Sequence, residues 1–133
     1  MLNILVVDDS ILMRNNIKAY VENLGHFVIG EADTGDIAVD LCSKLNPDVI
    51  TMDITMPNMD GITAITKIRE FNKKVNIIVA TSHSQEEVIM KALKAGAKGY
   101  ILKPVDESNL DEAIRNIYSS DNNYENDEYL LDD

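Results

Sequence analysis

Five polar residues lie just after, or at the end of, strongly apolar runs in this 133-residue chain. Asp8 and Asp9 follow Leu2–Val7, Asp53 follows Val49–Met52, Thr81 follows Val75–Ala80, and Lys103 follows Tyr100–Leu102. If those runs are neighbouring parallel strands, their carboxyl ends surround one crevice, the usual ligand position in open α/β sheets. Three carboxylates gathered there would repel one another unless a cation lay among them. An all-oxygen donor set with room for water suits Mg²⁺ or Mn²⁺ better than Zn²⁺. Backbone carbonyls around Ile54 and Thr55 could complete the shell.

One of the acids can do more than bind. A carboxylate can attack phosphorus to give an acyl phosphate, and charge then builds on the three equatorial oxygens of the transferring group. A cation, the Lys103 ammonium and the Thr81 hydroxyl with nearby N–H groups would each answer one of those oxygens. Singly these residues have plainer readings: Asp8-Asp9 as a cap for the first helix, Thr81 as a strand-end cap, Lys103 as a solvated loop lysine. The set is what points to phosphoryl chemistry.

Such residues must be positioned by a regular framework, and five β-rich runs supply one: Leu2–Val7, Phe27–Ala32, Asp48–Met52, Val75–Ala80 and Gly99–Leu102. Most are nearly continuous Val, Ile and Leu rather than alternating, as a sheet covered on both faces requires. Between them lie amphipathic stretches. Met13, Ile17, Tyr20, Val21 and Leu24 fall on one helical face, as do Ile37, Ala38, Leu41, Cys42 and Leu45. Further faces are Ile62, Ile65 and Ile68, then Val88, Ala92, Leu93 and Gly96, then Leu110, Ala113, Ile114, Ile117 and Tyr118. Gly25 and Gly96 read as helix stops, Pro47 bars continuation, and Asp106 reads as an N-cap. The alternation predicts an α/β domain with one parallel sheet, five helices and right-handed crossovers.

Composition excludes several classes. The net charge of −11 disfavours nucleic acid as a partner, because phosphates would be repelled. No apolar run approaches the roughly 20 residues of a membrane span, and no leader pattern precedes Leu2, so a cytoplasmic protein is expected. Cys42 sits in an apolar helical stripe and reads as core. His26 and His83 share no ligand spacing with it, so zinc is not expected. Met52, Met56 and Met59 are expected to pack around the Asp53 loop. Gly96-Ala97-Lys98-Gly99 fits neither nucleotide-binding fingerprint. After position 120 the chain carries Asp121, Glu125, Asp127, Glu128, Asp132 and Asp133 and no Lys or Arg. Residues 121–133 are therefore expected to be a disordered acidic tail, and residues 1–120 the folded domain.

Over residues 2–118 the chain resembles the receiver domains of two-component response regulators. The resemblance rests on Leu5-Val6-Val7-Asp8-Asp9-Ser10, Met52-Asp53-Ile54-Thr55-Met56-Pro57, Asp60-Gly61, Ala80-Thr81-Ser82, Ala95-Gly96-Ala97 and Lys103-Pro104, in the family's order and spacing. It is most like the stand-alone chemotaxis regulators. The resemblance implies a doubly wound, flavodoxin-like sheet of order 2-1-3-4-5. It implies Asp53 as phosphoacceptor, with Mg²⁺ (or Mn²⁺) held by Asp8, Asp9, Asp53 and the Thr55 carbonyl. Thr81 and Lys103 would contact the phosphoryl group, and Thr81 would move together with the switch aromatic Tyr100. Thr55 and His83 occupy the positions that modulate phosphoryl lifetime.

A histidine kinase is the implied donor. The implied output is a downstream protein bound through the fourth helix, fifth strand and fifth helix of a monomer, in chemotaxis. Alternatives are a phosphorelay intermediate, a Mg²⁺-dependent aspartyl-phosphate phosphohydrolase, and a flavin module. Thr55 stands where a phosphohydrolase would want a second acid, and the loop after Val7 lacks a flavin-phosphate cradle, so a switch and not an enzyme is expected.

Overall fold

The computed structural model describes residues 1–56, 59–82 and 86–120. Pro57, His83 and the acidic segment 121–133 lie outside the described residues. Strands and helices alternate throughout: β1 (Asn3–Val7), α1 (Ile11–Asn23), β2 (Phe27–Ala32), α2 (Gly35–Leu45), β3 (Val49–Asp53), α3 (Gly61–Phe71), β4 (Asn76–Thr81), α4 (Glu86–Ala95), β5 (Gly99–Leu102) and α5 (Glu107–Ser120). The five strands form one sheet in the order β2-β1-β3-β4-β5, and every pairing is parallel. The sheet is the flavodoxin-like, doubly wound one that the resemblance implies. Among the described residues, no helix is long and apolar enough to cross a membrane.

Successive side chains on a strand point to opposite faces, and this sheet uses both. Leu5, Val7, Ile50, Met52, Ile77 and Val79 pack with Ala38 and Cys42 of α2, Ala64, Ile65 and Ile68 of α3, and Ala92 of α4. Their neighbours Ile4, Val6, Val49, Ile78, Ala80 and Ile101 face Ile17 and Val21 of α1 and Leu110, Ala113, Ile114 and Ile117 of α5. Burying one such side chain contributes about 1.5–3 kcal/mol. The near-continuous apolar runs of β1, β3 and β4 are therefore what the fold demands, whereas edge strands β2 and β5 are only partly covered. The α2 stripe is narrower than its sequence pattern, because Ala38 and Cys42 are buried while Ile37 remains exposed.

The ends of the elements follow local chemistry. Gly25 (φ 89°) and Gly96 (φ 128°) take left-handed conformations where α1 and α4 stop. Asn46 (φ 50°) closes α2 just before Pro47. Asp106 caps α5, its Oδ1 accepting from the Asn109 N–H at 2.7 Å. At the carboxyl edge of the sheet, Ser10, Thr34 and Asp60 cap α1, α2 and α3 through hydrogen bonds from Met13, Ile37 and Thr63 N–H. Two strand boundaries move one residue towards that edge. Asp53 pairs with Ala80, and Thr81 pairs with Leu102, so both belong to their strands instead of following them.

Candidate acidic crevice at the carboxyl edge

Two adjacent strands, β1 and β3, bring the acids together. β1 ends at Val7, and the Asp8 N–H continues the ladder to the Ala32 carbonyl at 3.1 Å, fixing the turn that carries Asp8 and Asp9. Asp53 ends β3, the strand beside β1. One carboxylate oxygen from each of Asp8, Asp9 and Asp53 lies within 4.8 Å of the others. Asp8 and Asp53 are 1% and 4% exposed, so two carboxylates are held close together away from water, with Asp9 exposed at the rim.

Lys103, directly after β5, reaches across β4 into this group. Its Nζ donates to Asp53 Oδ1 at 3.2 Å and lies 3.5 Å from Asp8 Oδ2. The second distance is an ion-pair approach and too long for a good hydrogen bond; Asp8 Oδ2 is accordingly buried without a hydrogen-bond partner. Thr81 ends β4 between Asp53 and Lys103, is 2% exposed, and its carbonyl accepts from Lys103 N–H at 2.8 Å. The Lys103–Pro104 peptide is cis.

Electrostatics follow from this crowding. Burial, reinforced by the Asp8 carboxylate and opposed by Lys103, pushes the Asp53 carboxyl up from 3.8 to about 6. Burial alone would lower the Lys103 ammonium, but the charges of Asp53 and Asp8 outweigh it and hold its pKa above the ordinary lysine value. One ammonium thus faces two buried carboxylates and a third at the rim. Two buried acids with one unpartnered oxygen, all donors oxygen, and one ligand open to solvent fit a hard, partly hydrated divalent cation.

The rival reading of Asp8-Asp9 as the helix cap is not realised. Ser10 caps α1, while Asp8 Oδ1 accepts from Ser10 N–H at 2.9 Å and only stiffens the turn. That leaves Asp8 Oδ2 facing Lys103, and the Asp9 carboxylate lies with the crevice group. Thr55 N–H donates to Asp53 Oδ1 at 3.3 Å, and the Thr55 side chain is exposed. Tyr100 is 47% exposed on β5, on the far side of β4 from Asp53. Met52 and Met56 are buried and Met59 packs against the same cluster, around the Asp53 loop as expected. Cys42 is core, and the Nδ1 of His26 accepts from Leu2 N–H. Among the described residues, the three aspartates are the one group able to hold a metal.

Two supports depend on contacts that the sequence does not show. Arg14 donates from Nη1 to the Asp8 carbonyl at 2.8 Å and from Nε to Glu31 at 2.9 Å, tying the acidic turn to β2. Its only sequence signal is the i, i+4 spacing with Lys18, which also meets Glu31. Gly61 packs against the Asp53 backbone so closely that an added Cβ would strike the Asp53 carbonyl oxygen, and its N–H donates to Ile54 O at 2.8 Å.

Comparison with known proteins agrees with this architecture. Residues 4–115 match the family described as the response regulator receiver domain. The chain is 41% identical over 114 residues to the chemotaxis protein CheY of Thermotoga maritima, covering 86% of this chain and 95% of that one. It is also 41% identical over 111 residues to CheY of Bacillus subtilis, covering 84% and 92% respectively. Among solved structures, a CheX–CheY–BeF3–Mg²⁺ complex from Borrelia burgdorferi superposes with a TM-score of 0.84 at 33% identity, over 87% of this chain and 88% of that one.

Proposed function

The chain belongs to the response regulator receiver family, and on that premise we propose that it is a phosphorylation-controlled switch in chemotaxis, phosphorylated on Asp53 by a histidine kinase. The observation that carries this reading is the buried Asp53 carboxylate, 3.2 Å from Lys103 Nζ and grouped with oxygens of Asp8 and Asp9. Receiver domains are signalling proteins and not classical enzymes; what is catalytic here serves the protein's own modification. Asp53 is the last residue of a central strand, so its free Oδ is presented to the crevice while the backbone is held by the ladder.

In the proposed reaction, an Asp53 Oδ attacks the phosphorus of phosphohistidine, the P–N bond breaks, and a mixed anhydride forms. Asp8, Asp9, Asp53 and the Thr55 carbonyl would hold Mg²⁺, which supplies positive charge to the phosphoryl oxygens when bound. Mn²⁺ has the same ligand preferences. Lys103 already touches the acceptor oxygen's carboxylate and needs only a small movement to follow the charge onto phosphorus. The Thr81 hydroxyl serves a further oxygen. The Thr55 side chain offers no acid or base to an attacking water, which favours a retained phosphoryl group over turnover. His83, the second lifetime position, lies outside the described residues.

Readout follows from the sheet. Thr81 and Tyr100 sit on paired strands, with Val79 opposite Tyr100 and Thr81 opposite Leu102. Movement of Thr81 towards the phosphoryl group vacates space at the β4–β5 edge, and the half-exposed Tyr100 ring turns in to occupy it. The altered surface of α4, β5 and α5 then binds the downstream protein. Phosphoryl contacts shift a pre-existing equilibrium between two packings. The protein acts in the cytoplasm as a monomer. Exposure of the wild type and an Asp53→Asn variant to a small acyl phosphate with Mg²⁺ tests the reading. The wild type should take up one phosphoryl group and the variant none; equal uptake by both would end the assignment.

A further inference from the structure

The α4–β5–α5 face combines exposed apolar and basic side chains at the end of the domain where the acidic segment departs. Met90 and Leu93 on α4 are 50% and 38% exposed, and Tyr100 and Leu102 on β5 are 47% and 45% exposed. Lys94, in the last turn of α4, and Lys98, just before β5, are exposed as well. They lie at and just beyond the carboxyl end of α4, while Glu86 and Glu87 occupy its first turn. A cavity of about 500 Å³ opens between α4, β5 and α5, lined by Leu93, Lys98, Tyr100, Glu112, Asn116 and Ile117 among others.

The chain leaves α5 at Ser120, one turn beyond Asn116 and Ile117, and so at the rim of this cavity. The next thirteen residues carry six acidic side chains, no basic one, and the apolar groups Tyr124, Tyr129, Leu130 and Leu131. Their composition complements the face in both charge and hydrophobicity. Fully extended they would reach about 40 Å, against about 15 Å for the length of α4, so reach is not limiting. Two other sites fit worse. The crevice is itself acidic, and the groove between α2 and α3 presents Asp36 and Asp40 beside Lys67.

We propose that residues 121–133 dock on the α4–β5–α5 face as a built-in competitor for the downstream protein. The regulatory meaning rests on the proposed output role of that face; the docking itself rests only on the surface. A tethered segment meets its site at an effective concentration on the order of millimolar, so contacts too weak to bind a free peptide still keep the face covered. Because charge contributes, docking weakens as salt shortens the screening length.

Amide NMR of the full chain tests this with three samples: wild type, a Leu130→Ser/Leu131→Ser variant, and a Lys94→Glu/Lys98→Glu variant. Docking predicts that the tail variant shifts the amide signals of Lys98, Gly99, Tyr100 and Asn116 and leaves those of β2 in place. It also predicts that the lysine variant, or high salt, moves the tail signals towards their values in a free peptide of residues 121–133. Unchanged face signals in the tail variant, with tail signals insensitive to both the lysines and salt, would overturn it. Adding Mg²⁺ with beryllofluoride to each sample separates the two readings. A crevice that responds while the tail variant does nothing removes the docking alone; a face that shifts with the tail variant while the crevice ignores beryllofluoride removes the switch alone.

Discussion

Asp53→Asn should make the domain more stable at neutral pH when Mg²⁺ is chelated. Burial and the Asp8 carboxylate raise the Asp53 carboxyl from 3.8 to about 6, even with Lys103 beside it. Below pH 3.8 folded and unfolded chains both hold this proton, and the group has no effect on stability. Between 3.8 and about 6 the unfolded chain has lost a proton that the folded chain keeps, so stability falls as pH rises. Above about 6 the loss is complete, at about 3 kcal/mol for a displacement of this size. Asn keeps the shape and the hydrogen bond from Thr55 N–H and removes the charge, while Lys103 retains Asp8 at 3.5 Å.

Thermal unfolding followed by circular dichroism in EDTA should therefore show the variant gaining about 10 °C at pH 7.5, and little at pH 4. Mg²⁺ should narrow the gap, because it binds the folded wild type more tightly than the variant. An Asn variant equal to or less stable than wild type at pH 7.5 in EDTA would refute the electrostatic reasoning.

Other parts of the crevice make separate claims. Asp9→Ala removes the proposed exposed ligand, and titration calorimetry should show Mg²⁺ affinity falling about tenfold or more with the fold intact. Gly61→Ala drives a methyl group into the Asp53 carbonyl oxygen and should cost about 1–3 kcal/mol in urea unfolding, with slower phosphoryl uptake because the acceptor backbone moves. Thr81→Ala should still accept phosphoryl groups, yet the Tyr100 amide and ring signals should no longer change when it does.

The parts of this molecule written as local patterns were legible before any coordinates. Val49–Met52 had to be a strand buried on both faces, and Ile65 and Ile68 had to face a core, because nothing else removes so much apolar surface from water. The crevice was legible as five polar residues in or just after apolar runs, although the ladder extends one residue further than the apolar run at Asp53 and at Thr81. What stayed hidden depends on contacts across the sheet. Arg14 reads as a solvated helix residue until Glu31 of β2 and the Asp8 carbonyl are seen to share its guanidinium. Ser10, and not the preceding acids, capped α1 because Asp8 was already engaged by the Ser10 N–H. Ile37 stayed exposed because α2 meets the core through Ala38 and Cys42, and Ile37 lies to one side of that stripe.

The central claim is that one particular carboxylate accepts phosphorus. Treating the full chain with a small acyl phosphate and Mg²⁺, reducing the product with borohydride, and mapping peptides by mass spectrometry reads the acceptor directly, since an aspartyl phosphate is reduced to homoserine while free carboxylates are untouched. Homoserine should appear at position 53 alone, and not at all when Mg²⁺ is chelated. Homoserine at position 8 or 9, or none at all, would contradict it.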